Sequence, residues 1–150
     1  MRSNSIALIV VTGLLLAGHS RVVAEEPEIE GKWKVISATR YGTESKDQVG
    51  VIWEFQDDNQ FAMHFANGRT LEGQYQLDSD KKPWQIDIEN AGDRPRFGGG
   101  GPRKGIMTVK GHRLTLCVTG AADAPRPSEM VSASGTLNIL RVMKRVEDNK

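Results

Sequence analysis

The stretch Asp93-Arg94-Pro95-Arg96-Phe97-Gly98-Gly99-Gly100-Gly101-Pro102-Arg103-Lys104 carries four basic side chains, one acidic side chain and a glycine run. It lacks the G-x-x-x-x-G-K-[S/T] spacing in which backbone amides cradle phosphate. Two readings remain. One is a flexible, solvated loop. The other is a cationic lip beside a binding cavity, with Phe97 covering the opening and Arg94, Arg96 or Arg103 attracting an anionic ligand. Arg126, on a later connection, joins this set of candidates.

The other reactive residue types are sparse. His64 and His112 are the histidines beyond residue 24, and nothing in their spacing brings them together with a carboxylate or thiol as a metal site requires. Cys117 is the single cysteine, so no intramolecular disulfide can form. It reads as a small apolar side chain, with an intermolecular bridge or a reactive thiol as the sharper alternatives. Carboxylates are scattered over polar positions, with no Ser-His-Asp set. General acid–base catalysis needs positioned groups in a cleft. The chain therefore reads as non-catalytic, without metal or cofactor. Residues 78–87 combine Asp, Lys and Pro densely, and read as a tight corner in which Asp78 caps backbone N–H groups and Pro83 fixes entry to the next strand.

The elements that must position these residues show period-two alternation. Trp33 and Val35 alternate with lysines. Trp53 and Phe55 flank Glu54. Phe61, Met63 and Phe65 follow, then Leu71, Tyr75 and Leu77 with Gly73 among them. Trp84, Ile86 and Ile88 form the next apolar edge, and Leu114, Leu116 and Val118 another. Weaker segments at 106–109 and 137–143 complete eight strands. Each has one apolar and one polar edge, as in antiparallel sheets with one face on the core. Asn67-Gly68 reads as a two-residue hairpin turn with φ > 0 at both positions. Connections 41–50, 90–103 and 119–135 are long and fall at one end of a meander. The expected fold is all-β: an eight-stranded, up-and-down, lipocalin-like barrel with one tight and one loop-fringed end. Trp53, Phe55, Phe61, Met63, Phe65, Tyr75 and Leu116 form the expected inward set, which either fills the interior or lines a shallow apolar cup.

Residues 1–24 read as a cleavable signal peptide. Arg2 precedes an apolar run from Ile6 to Leu16, and Val22-Val23-Ala24 supplies the cleavage signature. The run is too short to span a bilayer core of roughly 30 Å. His19 stands where a lipoprotein leader needs Cys, so a soluble product is expected, periplasmic or extracellular. Removing 24 of the 150 residues leaves one domain, residues 25–150, with 18 basic and 19 acidic side chains. That balance argues against general nucleic-acid affinity and electrostatic membrane docking.

Gly31-Lys32-Trp33 resembles the G-x-W signature of lipocalin-like barrels. That resemblance implies that Trp33 closes the base with a basic residue of the last strand across its indole, Arg145 first and Arg141 second. Residues 78–88 (Asp-Ser-Asp-Lys-Lys-Pro-Trp-Gln-Ile-Asp-Ile) resemble the D-P-S-K-K-P-K-x-I-D-I segment of a small secreted-domain family abundant in planctomycete bacteria. Gly105-Ile106-Met107, Gly111-His112-Arg113-Leu114-Thr115-Leu116-Cys117, Arg126-Pro127-Ser128-Glu129 and Lys144-Arg145 resemble its G-I-Y, G-D-x-L-x-L-C, R-P-T-E and closing K-R motifs, in order. Ser79, Met107, His112 and Met130 depart from that pattern. The family has no assigned activity, so the resemblance implies a fold and leaves the function open.

The expectation is a monomeric binding module that holds a small apolar, amphipathic or anionic ligand at the barrel mouth. The alternative is a non-catalytic envelope interaction or inhibitor protein, a filled barrel that presents loops to its partner.

Overall fold

Apolar alternation carries the chain through nine antiparallel strands: β1 (Gly31–Arg40), β2 (Thr43–Glu44), β3 (Ile52–Phe55), β4 (Gln60–His64), β5 (Thr70–Asp78), β6 (Trp84–Asn90), β7 (Arg103–Lys110), β8 (Arg113–Thr119) and β9 (Asn138–Arg145). The computed structural model describes residues 28–90 and 101–147. The leader, Arg94, Arg96 and Phe97 lie outside the described residues. Neighbouring strands pair from β1 through β3 and onward to β9, and β9 returns to pair with β1. The sheet is thus a closed eight-stranded antiparallel barrel, as the alternation implies, with the two-residue β2 added to the end of β1.

Two local features depart from strict alternation. β1 carries a bulge between Val35 and Ser37. A bulge shifts the side-chain parity by one, so Trp33 and Val35 face inward before it, and Ala38 and Arg40 lie on the inward register after it. Opposite the bulge, the connection to β3 makes a 3₁₀ turn at Lys46–Gln48 that buries Gln48. Asn67-Gly68 does not form the expected two-residue turn. The Gly68 N–H donates to the Phe65 carbonyl (3.0 Å), the Phe65 N–H donates to the Arg69 carbonyl (2.9 Å), and only Gly68 has positive φ. This is a three-residue loop, in which Asn67 uses its side chain to accept from the Arg69 N–H (3.0 Å) instead of adopting the left-handed region.

The base is closed by the N-terminal segment. The Trp33 indole N–H donates to the Ile29 carbonyl at 2.8 Å. The Arg145 guanidinium lies 4.3 Å from the Trp33 ring centroid and donates to the carbonyls of Glu30 (2.8 Å) and Glu28. Above this latch the interior is packed with rings. Trp53 stacks on Phe61 (centroids 5.4 Å, 15° between planes), and Phe55 meets Tyr75 edge-on at 5.3 Å. Such pairs contribute about 0.5–1.5 kcal/mol beyond their buried area.

Gly73 interrupts the apolar edge of β5 because Phe61 occupies its side-chain position. A Cβ there would lie 2.7 Å from the Phe61 ring and against the Glu89 carbonyl. Gly73→Ala should therefore destabilise the fold by about 1–3 kcal/mol through overpacking, read as a lower urea midpoint at unchanged m-value. A change within about 0.5 kcal/mol, the usual range for a surface substitution, would mean that the ring is not held against the strand.

Candidate functional site

Strand β9 places Ile139, Arg141, Met143 and Arg145 on one face, turned into the barrel. Three of these suit an interior or its base latch. Arg141 is the anomaly, because it stands in the wall between Ala38 on β1 and Leu116 on β8 and is only 6% exposed. Its guanidinium carbon is 5.4 Å from the Trp53 ring centroid. Its Nε and Nη2 both donate to Gln48 Oε1, at 3.3 and 3.2 Å. Nη1 is buried and has no acceptor among the described residues. Two further buried donors share this condition, the Trp53 indole N–H and Arg40 Nε.

The electrostatics are equally incomplete. Arg40 ends β1 on the inward register, and Arg103 opens β7 in register with the inward-facing Gly105 and Met107. Both belong to the loop-bearing end of their strands, so positive charge runs from the rim inward to Arg141. Burial, first, and the repulsion of Arg40 and Arg103, second, push the Arg141 pKa down to about 10. Asp47 is the carboxylate that opposes them. Its own oxygens accept from the Ser45 hydroxyl (2.7 Å) and the Gln48 amide (3.3 Å), which hold its pKa below the usual carboxylate value. Thus Ser45, Asp47, Gln48 and Arg141 form one polar chain from the barrel wall to the interior. A buried cation without a full set of acceptors is strongly disfavoured unless an anion completes it. The same arrangement is suited chemically to receive a carboxylate or another oxyanion.

The expected site residues divide accordingly. Trp53, Phe55, Phe61, Met63 and Tyr75 are buried in one cluster with Leu116, and Phe65 is half-buried against it with the Arg69 guanidinium 4.4 Å from its ring centroid. Burial raises the Tyr75 pKa. These rings pack on one another, and the Trp53 indole N–H beside Arg141 is buried with no acceptor among the described residues. Arg103 keeps its place at the rim. Arg126 is bonded to the barrel wall. Its Nη1 donates to the carbonyls of Ile86 (3.0 Å) and Gly105 (2.7 Å), and its Nη2 pairs with Asp87 at 2.7 Å. It fastens the 120–137 connection to the barrel wall. Cys117 faces outward under the same connection, with Sγ 3.6 Å from the Val131 carbonyl. Burial raises its pKa, the opposite of what activates a thiol. Asp78 caps the Asp80 N–H at 3.1 Å, as the 78–87 motif implies.

One constellation escapes sequence reading because three strands assemble it. His64 Nε2 lies 2.8 Å from Glu54 Oε2, and its Nδ1 lies 3.4 Å from the Thr70 hydroxyl. The order resembles that of a base-activated hydroxyl, but the His64 side chain is 40% exposed and the long Thr70 distance is outside the range of a good O–H bond. It ties β3, β4 and β5 on the outer face. Gln48, Arg40 and Arg141 are the candidate-site residues that sequence reasoning missed, although β9 held Arg141 in view as the second partner for Trp33.

Comparison with protein-family models, with curated proteins and with solved structures finds no match for this chain.

Arg141→Met should make the ligand-free protein more stable, by about 1–3 kcal/mol, because an apolar side chain replaces an under-compensated buried charge. The guanidinium holds its proton up to about pH 10, so its unfavourable contribution is present throughout the pH range below that. The gap between variant and wild type should be constant from about pH 6 to 9 and shrink above that pKa, as the folded protein gives up the proton. Chemical denaturation across that range is the measurement. Destabilisation by the variant would mark Arg141 as a structural tie to Gln48 and Trp53.

Proposed function

We propose that this barrel is a non-catalytic binding protein for a small amphipathic anion, whose acidic head completes Arg141 beside Trp53. The observation that carries the reading is the buried Arg141 Nη1, without an acceptor among the described residues, with two other buried donors in the same condition. Natural proteins give nearly every buried donor a partner, and exceptions mark strain, an ion or a function. A carboxylate accepts from several donors at once and suits Arg141 Nη1 and the Trp53 N–H together. Arg40 and Arg103 add a cationic approach at the rim, which favours encounter with anions.

Export by the leader, a soluble monomeric state and membership of the planctomycete-abundant family belong to the same proposal. What supports the first is the leader signature of the sequence. Among the described residues no helix is long and apolar enough to cross a membrane. The expectation that the 119–135 connection flanks the ligand is not carried forward, since Arg126 ties it to the β6–β7 wall.

The test is a thermal-shift and calorimetric titration with medium- and long-chain fatty acids, aromatic carboxylates and the neutral methyl esters of each. Acids should stabilise the protein, by about 2.7 kcal/mol at a hundredfold excess over Kd, and esters should not. Arg141→Met should abolish the response while remaining folded. Equal stabilisation by acid and ester, or undiminished binding to the variant, would contradict the proposal.

A further inference from the structure

The barrel is divided by charge into two halves. The contiguous strands β7, β8, β9 and β1 contain ten Lys and Arg residues and no Asp or Glu, whereas β3 to β6 contain five Asp and Glu residues and no Lys or Arg. Two carboxylates of the acidic half have partners: Glu54 is hydrogen-bonded to His64, and Asp87 pairs with Arg126 of the 120–137 connection. The outer face of the basic half is not.

Cross-strand register puts its outward cations in a single file. Lys34 on β1 is directly opposite Lys144 on β9, Lys144 is opposite Arg113 on β8, and Arg113 is opposite Lys110 on β7. All four are exposed, and none has a carboxylate or hydrogen-bond partner among the described residues. At about 4.8 Å between strands the file spans roughly 14 Å. Like charges directly opposite each other destabilise a sheet, so an anionic partner is the physical complement of this row. The next outward row runs parallel to it through Ser37, Val142, Thr115 and Thr108. Three of its four members bear hydroxyls, and none of those hydroxyls is engaged by another side chain or carbonyl among the described residues.

We infer that this two-row face binds a linear acidic polysaccharide, with uronate-type carboxylates along the cationic file and sugar hydroxyls along the Ser37–Thr115–Thr108 row. A file one residue wide suits a chain better than the plane of charge that a bilayer presents. No aromatic side chain stands in either row to stack bases, which single-stranded nucleic acid binding uses. A second copy of this chain is the poorer complement, because two of the five carboxylates in its acidic strands are already paired. The face lies outside the barrel and is independent of the interior site at Arg141.

The probe is polygalacturonate, with single-stranded DNA, anionic phospholipid vesicles and size-exclusion chromatography as parallel arms. Wild type should bind the polyuronate in a salt-dependent manner. Arg113→Gln with Lys144→Gln should lower affinity at least tenfold at low salt. It should also reduce the slope of log K against log salt by about 1.4, the effect of two fewer charges on a single-stranded polyanion. Lys46→Gln with Lys81→Gln changes net charge equally, away from the face, and should leave both unchanged. Thr115→Val should weaken polyuronate binding about threefold or more, the loss of one hydrogen bond, without altering the salt slope. Arg141→Met should bind the polymer as wild type does, so failure here and failure of the interior site are separable. All these variants are outward-facing except Arg141→Met, and unchanged melting behaviour confirms their folding. The inference is overturned by no binding, by equal losses in the Lys46/Lys81 control, by tighter binding of DNA or vesicles through the same row, or by a dimer that buries it.

Discussion

The pairing of β9 with β1 is the constraint on which the rest depends. Once the last strand meets the first, every inward side chain shares one enclosed space and the eight barrel strands present no open sheet edge, leaving only the two-residue β2 paired on one side. Trp33 and Arg145 stand directly opposite each other in that closing pair, and the N-terminal segment reaches them through the Ile29, Glu30 and Glu28 carbonyls. The same pairing fixes the depth of Arg141, which is opposite Ala38 three residues beyond the bulge site. A slip of one residue would turn Arg141 outward and bury Val142 in its place. The interior charge is therefore a consequence of how the barrel closes.

Closure also explains why the interior is divided. Rings from β3, β4 and β5 fill one side, where Trp53, Phe61, Phe55 and Tyr75 interlock. The other side receives β9, β1 and β7, which supply arginines. Gln48, pushed inward by a 3₁₀ turn across from the bulge, supplies one carbonyl oxygen for two guanidinium N–H groups. Neither side satisfies the third nitrogen with a described residue. In the proposed reading a ligand group supplies the acceptor that the described residues do not, and the interior is less stable without it. The outer basic file repeats the logic in water, where repulsion between neighbouring cations is milder and more strongly screened by salt.

The fold was legible because amphipathic strands advertise their period. Trp84, Ile86 and Ile88 alternate cleanly with Gln85, Asp87 and Glu89, and the observed strand buries that apolar set. The site was not legible, for two reasons. In β9 both parities are apolar: Leu140 and Val142 alternate with Ile139, Arg141 and Met143. The outer side of that strand continues onto Cys117, which the 120–137 connection covers at Val131. Strict alternation cannot choose an inward face for such a strand. In β1 a bulge reverses the parity after Val35, so extending the Trp33–Val35 pattern would place Ser37 and Thr39 inside and Arg40 outside, the reverse of what is found. The His64–Glu54–Thr70 chain was hidden for a different reason, since it requires the register of three strands at once. Conversely, the long connection of Arg126 suggested a mouth residue, and its guanidinium bonds the wall at Ile86, Gly105 and Asp87.

The central claim is that the donors around Arg141 await an anion, and the three tryptophan indoles report on it directly. Trp33 donates to Ile29, whereas the Trp53 N–H has no acceptor among the described residues. In a ¹⁵N-correlated NMR titration with a long-chain fatty acid, the account predicts that the Trp53 indole and Arg141 guanidinium signals move together and saturate at one equivalent, while the Trp33 indole stays in place. Movement of the Trp33 and Trp53 indoles alike, or of neither, would contradict it.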